Sequence, residues 1–123
     1  MNVLFLKIGA IFGALSVVLG AFGAHALKET LLGSGRIETY ETAIKYFFYH
    51  SLALILVGIL SKEFPNKWLY YSGNCFIIGT IIFSGSLLIL CFSGVKAMGA
   101  VAPIGGTFLV LAWIFLLLGL SKV

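Results

Sequence analysis

From Trp68 to Val95 the chain runs through twenty-eight residues without a charged side chain. About 20 apolar residues in a helix suffice to cross a hydrocarbon core of about 30 Å. A backbone placed in that medium must satisfy its own hydrogen bonds, which leaves an α-helix or a closed barrel. The run is continuous rather than alternating, so it reads as a helix. It exceeds the needed length, which predicts a tilted helix or one that ends near Ser93-Gly94.

Three further stretches repeat the pattern. Seventeen uncharged residues separate Lys7 from His25, and with Val3 to Leu6 they give an apolar length of about 33 Å. Ala43 to Leu60 is apolar apart from Lys45 and His50, and Pro103 lies near the start of a last apolar run to Leu120. Over the whole chain 61% of residues are hydrophobic, 10% are charged and the mean hydropathy is +1.14. Soluble domains carry about 25% charged residues. The bilayer is therefore the main solvent and a partner of most of the surface. The expectation is an all-α, four-transmembrane-helix bundle in one membrane domain spanning residues 1–123. Its helices lie at about 3–24, 36–60, 68–93 and 101–120.

Between the first two crossings, Leu27 and Leu31 fall one turn apart, with Lys28, Glu29 and Thr30 on the other side. This predicts a short interfacial helix at about 26–32, closed by Gly33-Ser34-Gly35. Ser34 or Gly35 is then placed to cap the next helix, and Glu38 suits the positive end of its dipole. Glu41 and Lys45 have the i, i+4 spacing of a weak surface ion pair. Ala24-His25-Ala26 has the form of a signal-peptide cleavage site, but a basic segment should precede the apolar run, and Lys7 comes late. Lys96 to Gly99 reads as a turn, and Pro103 falls in the first turn of the last helix, where its missing N–H is harmless.

Net charge is +4, yet the eight basic residues occur singly, mostly at the ends of apolar runs. Such scatter fits headgroup contact, not the basic patch that nucleic acid requires. Four crossings put both termini on one side, with Lys7, Lys62, Lys67 and Lys122. The other side holds Lys28, Arg36, Lys45 and Lys96. Offsetting Lys28 and Lys45 by the neighbouring Glu29 and Glu41 favours cytoplasmic termini. Cys75 and Cys91 would lie roughly 24 Å apart on one helix, too far to bridge.

Small residues recur along the first helix at Gly9, Gly13, Ser16, Gly20 and Gly23, on one face. In lipid such a row lets a neighbouring helix approach closely, so these are expected to be packing residues. A second helix pattern places Ala43, Tyr46, His50, Ala53 and Val57 on one stripe. His50 sits about 10 Å into the apolar part, too short a side chain to snorkel out. His25 ends the first helix on the same side of the membrane, and Ser84 lies in the third crossing.

Gly20 to Leu27 (GAFGAHAL), the Tyr46 to Ala53 stretch with its histidine, Phe83-Ser84-Gly85-Ser86-Leu87, and Pro103-Ile104-Gly105-Gly106 followed by Trp113 occur in order at suitable spacing. Together they resemble the small inner-membrane family called domain of unknown function 423, the family of transmembrane protein 256. The resemblance covers nearly the whole chain. It implies a multi-pass inner-membrane protein and brings with it no established reaction, cofactor or catalytic residue. One departure is Phe47, where relatives often carry glutamine after the first tyrosine of this stretch.

Chemistry-bearing patterns are few. There is no Asp, no CxxC, no HExxH and no GxSxG. Two histidines without clustered carboxylates or thiols do not compose a zinc site, so neither metal nor cofactor is expected. An intramembrane ionisable group marks a candidate site, and Tyr46, His50, His25 and Ser84 are therefore candidate residues for binding or transporting a small molecule or ion, with no enzymatic role. The plainer reading is that His50 hydrogen-bonds a hydroxyl or carbonyl and fixes helix packing. Trp113 likewise reads as packing. A different class of function is structural, in which the glycine-rich faces join copies of the chain or a partner protein. A cavity enclosed by His25, His50 and Ser84 would favour binding; outward-facing glycine rows would favour assembly.

Overall fold

The computed structural model describes residues 1–121 and consists of five helices: α1 (Val3–Ala24), α2 (Lys28–Ser34), α3 (Ile37–Glu63), α4 (Lys67–Ser93) and α5 (Ala97–Leu120). Four of them, all but α2, are long and apolar enough to cross a membrane. The protein is thus a four-helix membrane bundle with one short helix between the first two crossings. The helices neighbour one another in the order α1, α3, α4, α5. In the apolar windows of α3 and α4, 44% of residues are buried, against 22% in α1 and 28% in α5, so α3 and α4 form the centre.

Asparagines begin two of the crossings. The Asn2 side chain accepts a hydrogen bond from the Phe5 amide at 3.1 Å, and Asn66 accepts from the Trp68 and Leu69 amides. Each satisfies amides that the first turn leaves without a partner. Asn66 also donates to the Gly119 carbonyl at 3.1 Å, tying the start of α4 to the end of α5. At the other end of α4, Gly94 adopts φ 70°, a left-handed cap that stops the helix after Ser93.

Three helices differ in extent from the sequence expectation, α3 among them, which runs on to Glu63 instead of ending near 60. The short helix occupies Lys28–Ser34 instead of about 26–32, because the Leu27 amide turns back to the Phe22 carbonyl at 2.8 Å and closes α1. Gly35, at φ 71°, ends α2 and does not cap α3, while the Ser34 hydroxyl donates to the Leu31 carbonyl within its own helix. Arg36 occupies the α3 cap position without a side-chain hydrogen bond. The last helix begins at Ala97, not near 101, so Lys96 to Gly99 is its entry and Pro103 lies inside it. A proline there removes one backbone donor, which transmembrane helices tolerate when neighbours compensate.

Packing follows side-chain size. Phe5, Leu54, Val57, Leu69, Phe76 and Ala112 form the central core, and Leu31 of α2 is fully buried with Tyr40 and Cys91 at one end. Between α4 and α5 the backbones come close: a Cβ on Gly105 would meet the Phe83 Cα at 2.7 Å, and one on Gly79 would meet the Leu109 nitrogen at 2.9 Å. Close approach of this kind requires residues without side chains. Two serine hydroxyls cross between helices, Ser72 to the Ala112 carbonyl at 2.7 Å and Ser84 to the Ala43 carbonyl at 2.8 Å.

Candidate functional site

On α3, Tyr46, Tyr49 and His50 are spaced i, i+3 and i+4 and point to one side. On α5, Pro103, Gly106, Thr107, Val110 and Trp113 recur every three or four residues and form the opposing wall. Between the walls runs an open groove of about 950 Å³, completed by Leu52 and Leu109. Two phenylalanines of α4 link the walls from beneath. Phe76 lies against both His50 and Trp113, with ring centroids 5.7 and 5.0 Å away, and Phe83 stacks on Tyr46 at 4.9 Å. The small Gly106 faces the Phe83 ring at van der Waals distance. Large rings on α3 and α4 opposite small residues on α5 leave the space that becomes the groove.

Its polar feature is a histidine–tryptophan pair. His50 Nδ1 is 2.8 Å from the Tyr46 carbonyl, one turn back on the same helix. A carbonyl only accepts, so Nδ1 carries the proton and Nε2 presents a lone pair. The Trp113 indole N–H donates to that lone pair at 3.2 Å. Both ring nitrogens are therefore satisfied in the neutral Nδ1–H tautomer. His50 itself is only 9% exposed, whereas Trp113 is 46% exposed and covers it from the groove side. On the wall opposite, the Thr107 hydroxyl donates to the Pro103 carbonyl at 2.9 Å. Among the described residues no charged side chain lines the groove.

The candidate residues are divided by this arrangement. Tyr46 and His50 share the groove. Ser84 does not reach it, because its hydroxyl is spent on the Ala43 carbonyl in the buried α3–α4 contact. His25 is exposed at the end of α1, on a helix that packs on α3 along Ser51, Ile55, Ile44 and Tyr40, a different face from the one bearing Tyr46, Tyr49 and His50. The cavity expected among His25, His50 and Ser84 is thus replaced by one between α3 and α5. Near His25 there is a separate cavity of about 290 Å³, lined by Gly20, Gly23, Ala24, Tyr40, Glu41 and Lys45.

The small-residue row of α1 turns inward. A Cβ on Gly9 would come within 2.6 Å of Ile55 and 3.0 Å of the Ser51 carbonyl; Gly13 faces Ser51, Gly20 faces Ile44 and Gly23 abuts the Tyr40 ring. Ser16 is buried and bonds the Gly13 carbonyl. The Tyr40 hydroxyl closes the same contact by donating to the Leu19 carbonyl. Among the described residues no group of three or more His, Cys, Asp or Glu side chains is placed to hold a metal ion.

Trp113, which the sequence suggested only as packing, lines the groove, as do Tyr49 and Thr107, which the sequence reading passed over. The available signal was the spacing of Pro103, Gly106, Thr107, Val110 and Trp113 along one face of α5. That face is recognisable as a wall only when its partner helix is known.

Comparison with known proteins agrees with the membrane architecture. The profile described as "Protein of unknown function (DUF423)" matches residues 19–106. A UPF0382 membrane protein of Staphylococcus haemolyticus is 36% identical over 119 residues, covering 97% of this chain and 96% of its own. The UPF0382 inner membrane protein YgdD of Escherichia coli K12 is 34% identical over 110 residues, 89% of this chain and 83% of its own. No solved structure matches the chain. The match over most of its length, together with these near-full-length relatives, shows that the chain belongs to the DUF423 family of multi-pass membrane proteins.

Proposed function

We propose that this protein binds a small lipophilic molecule taken up sideways from the bilayer into the α3–α5 groove, and that it does so without catalysing a reaction. One observation carries the reading: an aromatic-walled groove of about 950 Å³, lined by no charged side chain among the described residues, holds at its base a hydrogen-bonded pair that joins its two walls, His50 and Trp113. Small-molecule sites are typically apolar concavities of roughly 300–1,000 Å³ with a few placed polar groups. The absence of charge from the walls disfavours a free ion as cargo, since an ion leaving water would meet nothing to replace its hydration. The histidine is oriented by a backbone carbonyl, but its Nε2 lone pair is occupied by the indole and no carboxylate lines the groove among the described residues to stabilise the imidazolium that general-base chemistry forms.

Assembly through glycine-rich faces has less support, because the α1 row already abuts α3 within the chain. In the bilayer we place both termini on the cytoplasmic side of the inner membrane, following the charge balance and the relative named as an inner membrane protein. A reporter fused to the carboxyl terminus that is active only outside the cytoplasm contradicts this orientation.

The test of binding is mass spectrometry of the gently extracted protein beside a Gly106→Leu variant. Gly106 has room for a side chain, and leucine there projects into the groove. The expected result is a small molecule retained by the wild type and lost from the variant. Equal retention by both proteins, or none by either when the membrane extract is added back, overturns the proposal.

A further inference from the structure

The histidine–tryptophan pair defines which polar group the bound molecule carries. We infer that the groove takes a lipophilic alcohol or phenol, whose hydroxyl inserts between His50 and Trp113. This deepens the binding reading above and rests on it.

Donor and acceptor chemistry carries the step. His50 Nδ1–H is committed to the Tyr46 carbonyl, so Nε2 can only accept. The Trp113 indole N–H can only donate. At 3.2 Å the two satisfy each other, and any ligand group that enters between them must satisfy both. A hydroxyl does so through one atom: its proton goes to His50 Nε2, and its oxygen accepts from the Trp113 N–H. An ether or carbonyl oxygen serves Trp113 but leaves the buried Nε2 without a donor. An ammonium serves His50 and has no lone pair for the indole. Carboxylic acids and primary amides divide the two roles between separate atoms, which demands a wider opening.

The pair is also built to open. Inserting one oxygen widens the nitrogen–nitrogen separation to about 5 Å, the span of two ordinary hydrogen bonds. His50 is enclosed and tethered to its own helix, so the indole is the part that moves, and Trp113 is about half exposed on the groove side. The rest of the lining near the pair, Leu52, Leu109 and Val110 with the Tyr49 ring, offers an alkyl or aromatic body apolar contact and no charge to neutralise. Phe76 beneath the pair is fully buried and fixes the position of the hydroxyl from below. No bond is made or broken in this step; the proton stays on the ligand oxygen.

The experiment uses the full chain in nanodiscs with Trp68→Phe, which leaves Trp113 as the only indole. Trp68 packs near Tyr71 and Phe115, away from the groove. Three probes, 4-octylphenol, 4-octylanisole and octylbenzene, are titrated while Trp113 fluorescence is read, each corrected for its partition into protein-free nanodiscs. The expected result is that the phenol binds about tenfold more tightly than the anisole, the factor associated with one buried acceptor left unpaired. That preference should vanish in His50→Phe. Equal affinity for all three probes overturns the hydroxyl inference and leaves the groove reading intact. No binding by any probe overturns both. If His50→Phe does not assemble, the comparison of phenol with anisole on the otherwise native protein decides the matter alone.

Discussion

Two sides of α3, one facing α1 and the other facing α5, are built in opposite ways. Toward α1, α3 meets a row of glycines and a serine, and Ile55 and the Tyr40 ring fill the contact so closely that no further side chain fits at Gly9 or Gly23. Toward α5, α3 presents Tyr46, Tyr49 and His50, α4 inserts Phe76 and Phe83, and the helices remain apart across an open groove. In lipid there is no water to squeeze out, so helix association depends on how closely atoms fit. A row of small residues therefore becomes a structural seam, and a cluster of large rings facing small residues becomes a space. Polar groups differ in kind as well: at the seam Ser16 and Ser51 bond their own helices and the Tyr40 hydroxyl bonds the α1 backbone, while at the groove two side chains, a histidine and a tryptophan, bond each other across it.

This contrast predicts a graded set of effects. The largest belongs to the seam. Gly9→Leu forces a side chain into Ile55 and the Ser51 carbonyl, and should destabilise the bundle by about 3 kcal/mol, the upper range for overpacking. A thermal unfolding series in mild detergent measures it, and an unchanged midpoint would break the comparison on the α1 side. Next comes the polar pair. Trp113→Phe leaves His50 Nε2 without its donor and should cost about 1–2 kcal/mol, whereas the double variant His50→Phe with Trp113→Phe should recover most of that loss. A double-mutant cycle reads the coupling directly, and strict additivity would mean that the bond contributes nothing.

Smaller effects sharpen the picture. Ser84→Ala removes the hydroxyl bond to the Ala43 carbonyl and should cost about 0.6 kcal/mol, the average for such bonds between membrane helices. A loss of ligand retention beyond that stability change would return Ser84 to the binding site. Least of all, Gly106→Leu should alter stability by no more than about 0.5 kcal/mol, because its Cβ meets the Phe83 ring only at ordinary van der Waals distance and the groove receives the rest of the side chain. If Gly106→Leu destabilises as much as Gly9→Leu, the groove is not open and the distinction between the two sides of α3 fails.

Much of the fold was legible because hydropathy is a local property. The uncharged runs around Trp68 to Val95 and Ile8 to Ala24 mark membrane helices whatever they pack against. The Pro103 boundary was misplaced because proline usually marks a helix start, and here the turn before it is already helical from Ala97. The site was legible only in part. Tyr46 and His50 lie one turn apart on any helix, so their common face follows from spacing alone. Which helix stands opposite does not. His25, His50 and Ser84 share a membrane side in the sequence reading, but depth alone cannot say that α1 packs against the face of α3 turned away from the groove. Trp113 pairs with His50 through the register of α5 on α4, set by Gly79, Gly105 and the Ser72 hydroxyl bond, and no single stretch of sequence encodes that register.

The central claim, that the α3–α5 groove receives a lipophilic molecule from the bilayer, is tested most directly by photolabelling in membranes. A diazirine-bearing alkylphenol would be activated in vesicles containing the full chain, and the labelled residues mapped by peptide mass spectrometry. Leu4 and Val17 on the outer face of α1 are at least as exposed as the groove residues Tyr49, Val110 and Trp113, and serve as the internal control for random contact with the bilayer. The account predicts labels concentrated at Tyr49, Val110 and Trp113 and displaced by unlabelled 4-octylphenol. Labels spread equally over α1 and the groove, with no displacement, would contradict it.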